Sequence, residues 1–158
     1  MQWRPLLSFL AKVTTVHVVT YYIAGMISFS LILHHYMPGT GDRPLPSYYK
    51  DLNDFAAWVI PAQIARGILL GIALYPFRAR FLELGYKGGL AIAGLYLLIG
   101  QFACPGTSPG SIEGFVYTRL PLDFQYAVIP EIVGQGLALG YLVYLWERFT
   151  FRPRPVTV

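Results

Sequence analysis

The sequence predicts an all-α, polytopic membrane protein, a four-helix transmembrane bundle built from two tandem, parallel helical-hairpin repeats. Three observations predict it. The 158-residue chain is 55% hydrophobic and only 13% charged, about half the charge of an ordinary soluble domain. Its apolar residues gather into four blocks, each near the length that crosses a ~30 Å hydrocarbon layer. One stretch also occurs twice: Asp54 to Tyr75 reads DFAAWVIPAQIARGILLGIALY, and sixty-nine residues on Asp123 to Tyr144 reads DFQYAVIPEIVGQGLALGYLVY. Nine of these twenty-two positions are identical, among them an Asp, a Pro and two Gly in fixed register, which apolar composition does not explain.

Residues 1–12 mix Trp3, Leu6, Leu7, Phe9 and Leu10 with Arg4 and Lys12. The pattern suits an interfacial N-terminal segment at headgroup level, or an early start to the first helix. The first hairpin covers 13–77, with helices over 13–36 and 55–77. Its first helix is too long, and lacks the small-residue cleavage site, for a cleaved signal peptide. His17, Thr20, Ala24, Ser28, Leu31 and His35 follow at steps of three or four, a small and polar stripe that should face inward. His17, His34 and His35 read as interfacial histidines. A haem would need axial ligands on facing helices, and all three lie on or beside this one helix.

Pro38, Gly39, Gly41, Pro44 and Pro46 make 37–53 a loop, and Asn53 or Asp54 suits the cap of the second helix. Pro61 reads as lying near that helix's start, where a missing N–H costs less. Gly67 and Gly71 form a GxxxG step that recurs as Gly136 and Gly140. Small residues so spaced let helix backbones approach, so the second and fourth helices are expected to pack along these faces, on each other or across an oligomer interface. Arg78 to Lys87 reads as a short turn.

The second hairpin covers 84–146, with helices over 84–103 and 124–146. Ile92-Ala93-Gly94 echoes Ile23-Ala24-Gly25 at the same sixty-nine-residue offset. The loop between its helices, 106–122, places Glu113 among small and apolar residues and reads either as a structural plug or as a ligand-contacting loop. Residues 147–158 form a basic tail.

Eight basic residues flank one side of the four blocks and three the other. Positive residues stay cytoplasmic, so both termini are expected inside, and the net charge of +4 is a topology signal that leaves nucleic-acid binding without support. Cys104 is the single cysteine, which excludes an internal disulfide and paired-thiol chemistry and leaves a bridge between two copies open.

Arg66 falls in the middle of the second block, where it is unfavourable on any lipid face. Glu131, aligned with Ala62, stands one turn away in the repeat, roughly 6 Å along the axis. The expectation is an Arg66–Glu131 pair whose hydrogen bonds are completed by Gln63 and Gln135. Such a pair either fixes helix register or forms an intramembrane site for an anion, a quinone-like head group or a proton. HExxH, GxSxG and P-loop motifs are missing, and no metal centre or cofactor is clearly implied. The first functional reading is a non-enzymatic membrane subunit that assembles with itself or with other membrane subunits among membrane lipids. The second is a transporter or channel for a small solute or proton at Arg66/Glu131. The third is an outer-face lipid-modifying enzyme using Glu113, Asp123 or Arg119.

Overall fold

The computed structural model describes residues 3–36, 52–103 and 106–150. Cys104, the loop 37–51 and the Arg152/Arg154 tail lie outside the described residues. Helix α1, Trp3–Leu31, runs unbroken for 29 residues, roughly 43 Å at 1.5 Å per residue. Pro5 sits in its first turn, where no intrahelical N–H is lost. The buried residues Phe9, Lys12, Val13, Val16, His17, Thr20 and Ser28 share one face. Residues 3–12 therefore begin α1, the early helix start that the sequence offered as one of two readings, with Phe9 and Lys12 already buried. Of the polar stripe His17, Thr20 and Ser28 are buried and Ala24 is half-buried, and the stripe leaves the interior by Leu31, which is exposed. A 3₁₀ turn, Leu33–Tyr36, follows.

Helix α2 spans Leu52–Leu74, so Pro61 lies ten residues in rather than near the start, and Asn53 and Asp54 fall inside the helix rather than before it. A 3₁₀ turn at Tyr75–Phe77, with Pro76 in it, leads to the short helix α3, Arg78–Glu83. The stretch expected as a simple turn is thus partly helical. Gly85, at φ +60°, reverses the chain into α4, Tyr86–Leu97, which ends in a π-helical turn at Leu98–Phe102. A Cβ on Gly88 would lie 1.9 Å from the Phe81 carbonyl oxygen, so the α3–α4 corner closes only around glycine.

This element is shorter than the helix expected over 84–103. Its seventeen residues, 86–102, reach roughly 25 Å even at α-helical rise. Three helical stretches are long and apolar enough to cross a membrane, Trp3–Leu31, Ala57–Glu83 and Leu122–Thr150, where the sequence predicted four spans. The last comprises α6, Leu122–Ala127, and α7, Ile129–Thr150, broken beside Pro130, whose ring removes one backbone donor.

The extensive packing runs from α2 to α1, from α1 to α7 and from α7 to α4, so α1 stands between α2 and α7. The Gly steps do not meet each other. Gly67 and Gly71 lie on Thr14 and Leu10 of α1, whereas Gly136 and Gly140 lie on Leu97, Gly89 and Ala93 around α4. The tripeptide echo also falls at unequal levels. Ala93 packs at Gly140, but at Gly71 the neighbours are Leu10 and Val13, and even Val13 stands eleven residues before Ala24, roughly 16 Å from it along α1. One core joins Phe9, Val13, Val16, Leu74, Phe81, Ile92, Tyr96, Leu139, Val143 and Tyr144. A smaller one at the other end holds Tyr36, Leu120, Phe124 and Val128.

The 106–122 segment is pinned by a residue that the sequence did not single out. Gln125 is 1% exposed. Its Oε1 accepts from the Gly110 amide at 3.0 Å, and its Nε2 donates to the Gly114 carbonyl at 2.7 Å and to Thr118 Oγ1 at 3.3 Å. Ser111 caps α5, Ile112–Tyr117, by accepting from the Gly114 amide at 2.9 Å. Phe115 stacks against Tyr126 at 5.3 Å, while Ile112, Val116 and Tyr117 point outward. Gln125→Leu strands the Gly110 donor, while the Gly114 carbonyl keeps Thr118 Oγ1 at 2.6 Å, and is expected to cost about 1–3 kcal/mol. Limited proteolysis checks this: cleavage within 106–122 should accelerate, and an unchanged pattern would mean that the glutamine does not hold the segment.

Candidate functional site

The polar residues of the helix interior gather around His17, the midpoint of α1. His17 is fully buried, and its Nε2 lies 3.0 Å from Gln63 Oε1 on α2. An amide oxygen only accepts, so the proton of this bond sits on Nε2, and Nδ1 faces the interior as a bare acceptor without a partner. The imidazole stands edge-on to Tyr96 of α4 at 6.0 Å and 6.4 Å from Tyr21. The expectation of an interfacial histidine is thereby corrected: with α1 beginning at Trp3, His17 lies fourteen residues into the helix, not at its end.

One turn on from Gln63, Arg66 reaches away from α1 towards α4. Its guanidinium lies 5.8 Å from the centre of the Tyr96 ring, within cation–π range. Its Nη2 donates a long 3.4 Å hydrogen bond to the Gly100 carbonyl in the π-helical turn. Turns of that kind recur at functional positions because they break the regular backbone pairing of a helix. Gln101, from the same turn, donates to the Tyr96 hydroxyl at 3.0 Å. Arg66 therefore bridges from α2 to α4, two helices without extensive packing between them.

Glu131 comes from α7 and lies over Gly25 of α1, its Oε1 3.8 Å from the position a Cβ there would take. The expected ion pair with Arg66 does not form, since the two charges share no contact within 4 Å among the described residues. The two side chains turn to different neighbours: Arg66 extends from α2 to the Tyr96 ring and the Gly100 carbonyl of α4, whereas Glu131 extends from α7 to Gly25 of α1. Nor do the glutamines complete such a pair. Gln63 bonds His17, and Gln135 is buried with its Nε2 unpartnered.

The outer-loop candidates do not join this cluster. Asp123 Oδ2 accepts from the Tyr36 hydroxyl at 3.0 Å, Glu113 is half-buried in the first turn of α5, and Arg119 is exposed between α5 and α6. Among the described residues no group of three or more His, Cys, Asp or Glu is placed to hold a metal ion.

A second charged cluster, which sequence reasoning passed over, lies at the other end of the molecule. Glu147, 3% exposed, accepts from Lys12 Nζ at 2.7 Å through Oε2, and from the Arg78 guanidinium through Oε1. Lys12 also donates to Thr150 Oγ1, and Arg78 lies 5.9 Å from the centres of both the Phe9 and Tyr75 rings. This network ties α1, α3 and α7 together, the register role expected of the Arg66–Glu131 pair.

The fold and these two clusters define a helical chain with three membrane-length helical stretches and a polar cluster buried among its helices. No protein-family model, curated protein or solved structure matches it.

Proposed function

We propose that the chain is a small multi-pass integral membrane protein whose working part is the cluster around His17, Gln63, Arg66, Tyr96 and Glu131, and that it handles a small solute or a proton inside the bilayer. One observation carries this reading: Arg66 lies beside the His17–Gln63–Tyr96 cluster with no carboxylate within 4 Å among the described residues, and Glu131, over Gly25, does not neutralise it. An intramembrane charge is expensive unless protein, water or a ligand meets it. Among the described residues Arg66 meets a ring face and a long bond to a carbonyl, which leaves its charge available to an anionic or carbonyl-bearing group. The bare His17 Nδ1 and the unpartnered Gln135 Nε2 supply one acceptor and one donor in the same interior.

In this reading α4 with its π-helical turn serves as a fourth, short span, and the chain forms two parallel hairpins with both termini cytoplasmic. The placement of basic residues supports that topology, and the packing of the Gly faces of α2 on α1 and of α7 on α4 supports the hairpin pairing. A second reading, a subunit docked on partner helices or on its own copy, is favoured by α2. That helix packs mainly on α1, and Trp58, Ile60, Leu69 and Ile72 stand exposed along it.

Cysteine accessibility separates the two. In a Cys104→Ser background, Arg66→Cys in native membranes should react with a membrane-impermeant thiol reagent faster than Leu69→Cys on the exposed apolar face. If Arg66→Cys resists the reagent as Leu69→Cys does, water does not reach the cluster and the transport reading fails.

A further inference from the structure

We propose that the corner where α3 turns into α4 against α7 is a binding site for the head group of an anionic phospholipid, an inference that rests on the membrane reading above but not on the His17 cluster. A cavity of about 320 Å³ opens there, lined by Leu82 of α3, Gly85 of the turn, and Tyr144 and Arg148 of α7. Arg148 is exposed at its mouth, and its Nη1 donates to the Tyr144 hydroxyl at 3.3 Å. Tyr144 is itself 3% exposed, so a rigid, buried ring holds the guanidinium in place. A planar guanidinium fixed in this way matches the oxygens of a phosphodiester. The space over Gly85 is open, since a Cβ there would meet nothing within 4 Å. Leu82 offers an apolar wall to the glycerol end of a lipid.

The surrounding charge favours an anion. A small void of about 10 Å³ continues behind the cavity, sharing Leu82 and Tyr144 and reaching Arg78 and Glu147. Glu147 is held from two sides by Lys12 and Arg78, so it does not repel an incoming phosphate. The other carboxylate of this corner, Glu83, pairs with Arg80 at 2.9 Å. Lys12, Arg78 and Arg148 against Glu147 leave cations in excess. The site also stands at headgroup level: Phe77, Tyr86, Trp146 and Phe149 are exposed around the same helix ends, the arrangement that marks a membrane boundary. These aromatic flanks make a lipid, rather than a free phosphate, the occupant.

Native mass spectrometry of the full chain in mild detergent, titrated with phosphatidylglycerol and phosphatidylcholine, tests the proposal. The wild type should retain one phosphatidylglycerol in preference to phosphatidylcholine, and Arg148→Gln should weaken that binding about fivefold, the worth of one basic residue at an anionic surface. Arg4→Gln, which removes an exposed base at the same end, should leave it unchanged. Equal retention of the two lipids, or an equal loss in Arg4→Gln, would show only diffuse surface charge and overturn the site. Displacement by inorganic phosphate would overturn its assignment to a lipid. A chain that stays monodisperse without detergent would remove the membrane reading and the lipid site with it, whereas a detergent-requiring chain indifferent to lipid charge would remove the site only.

Discussion

Glu147→Gln is expected to destabilise the protein by about 3–5 kcal/mol, the range for breaking a buried ion pair from one side. The carboxylate is 3% exposed, and the Lys12 and Arg78 side chains that it holds are 10% and 16% exposed. Removing its charge leaves two cations in a poorly solvated corner without the group that balances them. Replacing a cation is milder: in Lys12→Met the carboxylate keeps Arg78, and the methionine fills the space of the lysine stem. The exposed Arg80–Glu83 pair, 69% and 62% exposed, serves as control, since surface pairs contribute only about 0–1 kcal/mol. Thermal unfolding in one detergent should therefore rank Glu147→Gln well below Lys12→Met, and Lys12→Met below Glu83→Gln. If Glu147→Gln melts with Glu83→Gln, the cluster does not hold α1, α3 and α7 together.

This network bears on the His17 cluster through a division of labour. Buried ion pairs are best attested as devices that fix register, and here that task falls to Lys12, Arg78 and Glu147. The charges deep among the helices, Arg66 and Glu131, are not needed for it.

What could be read from sequence followed from local rules. Apolar block length announced helices of membrane-crossing size, and three such stretches are present. The face of α1 that carries His17, Thr20 and Ser28 was legible because helical periodicity fixes which residues share a side. Which helix that side meets was not, because periodicity is silent on neighbours. Arg66 and Glu131 were matched by height along the axis, but the two side chains turn to different neighbours, Arg66 to α4 and Glu131 to α1. His17 was misplaced by a boundary: with Lys12 taken as the edge of the first span, His17 sat near a surface, and with α1 extended to Trp3 it becomes the centre. The end cluster was hidden because Lys12 and Arg78 were counted as topology markers and Glu147 was assigned to a tail. One signal did point to it: the sixty-nine-residue offset, carried three residues beyond Tyr75 and Tyr144, lands on Arg78 and Glu147, the two residues that bond each other.

The α4–α7 contact should fail at a single methyl group. A Cβ on Gly140 would lie 2.4 Å from the Gly89 carbonyl oxygen, 2.7 Å from the Ala93 amide nitrogen and 2.8 Å from the Ala93 Cβ. The first two are backbone atoms, so relief requires α4 to move as a body. Gly140→Ala is expected to cost about 3 kcal/mol, the upper end of the usual range for overpacking. Gly136 faces only the Leu97 side chain, with its Cγ and Cδ2 2.6 Å from the Cβ position, and that chain can change rotamer, so Gly136→Ala should cost less. Gly134 has nothing within 4 Å, and Gly134→Ala should gain roughly 0.5–1 kcal/mol from helix propensity. Thermal unfolding of the three variants in one detergent gives the ranking, and a Gly140→Ala protein as stable as Gly134→Ala would mean that α4 and α7 do not approach so closely. The consequence reaches the His17 cluster, because Ala93 stands one turn before Tyr96 and two before Gly100. An α4 pushed off α7 carries away both the ring over which Arg66 lies and the carbonyl to which it donates. Gly140→Ala should therefore change the thiol reactivity of Arg66→Cys even where the double variant remains folded, whereas Gly134→Ala should leave it as it was.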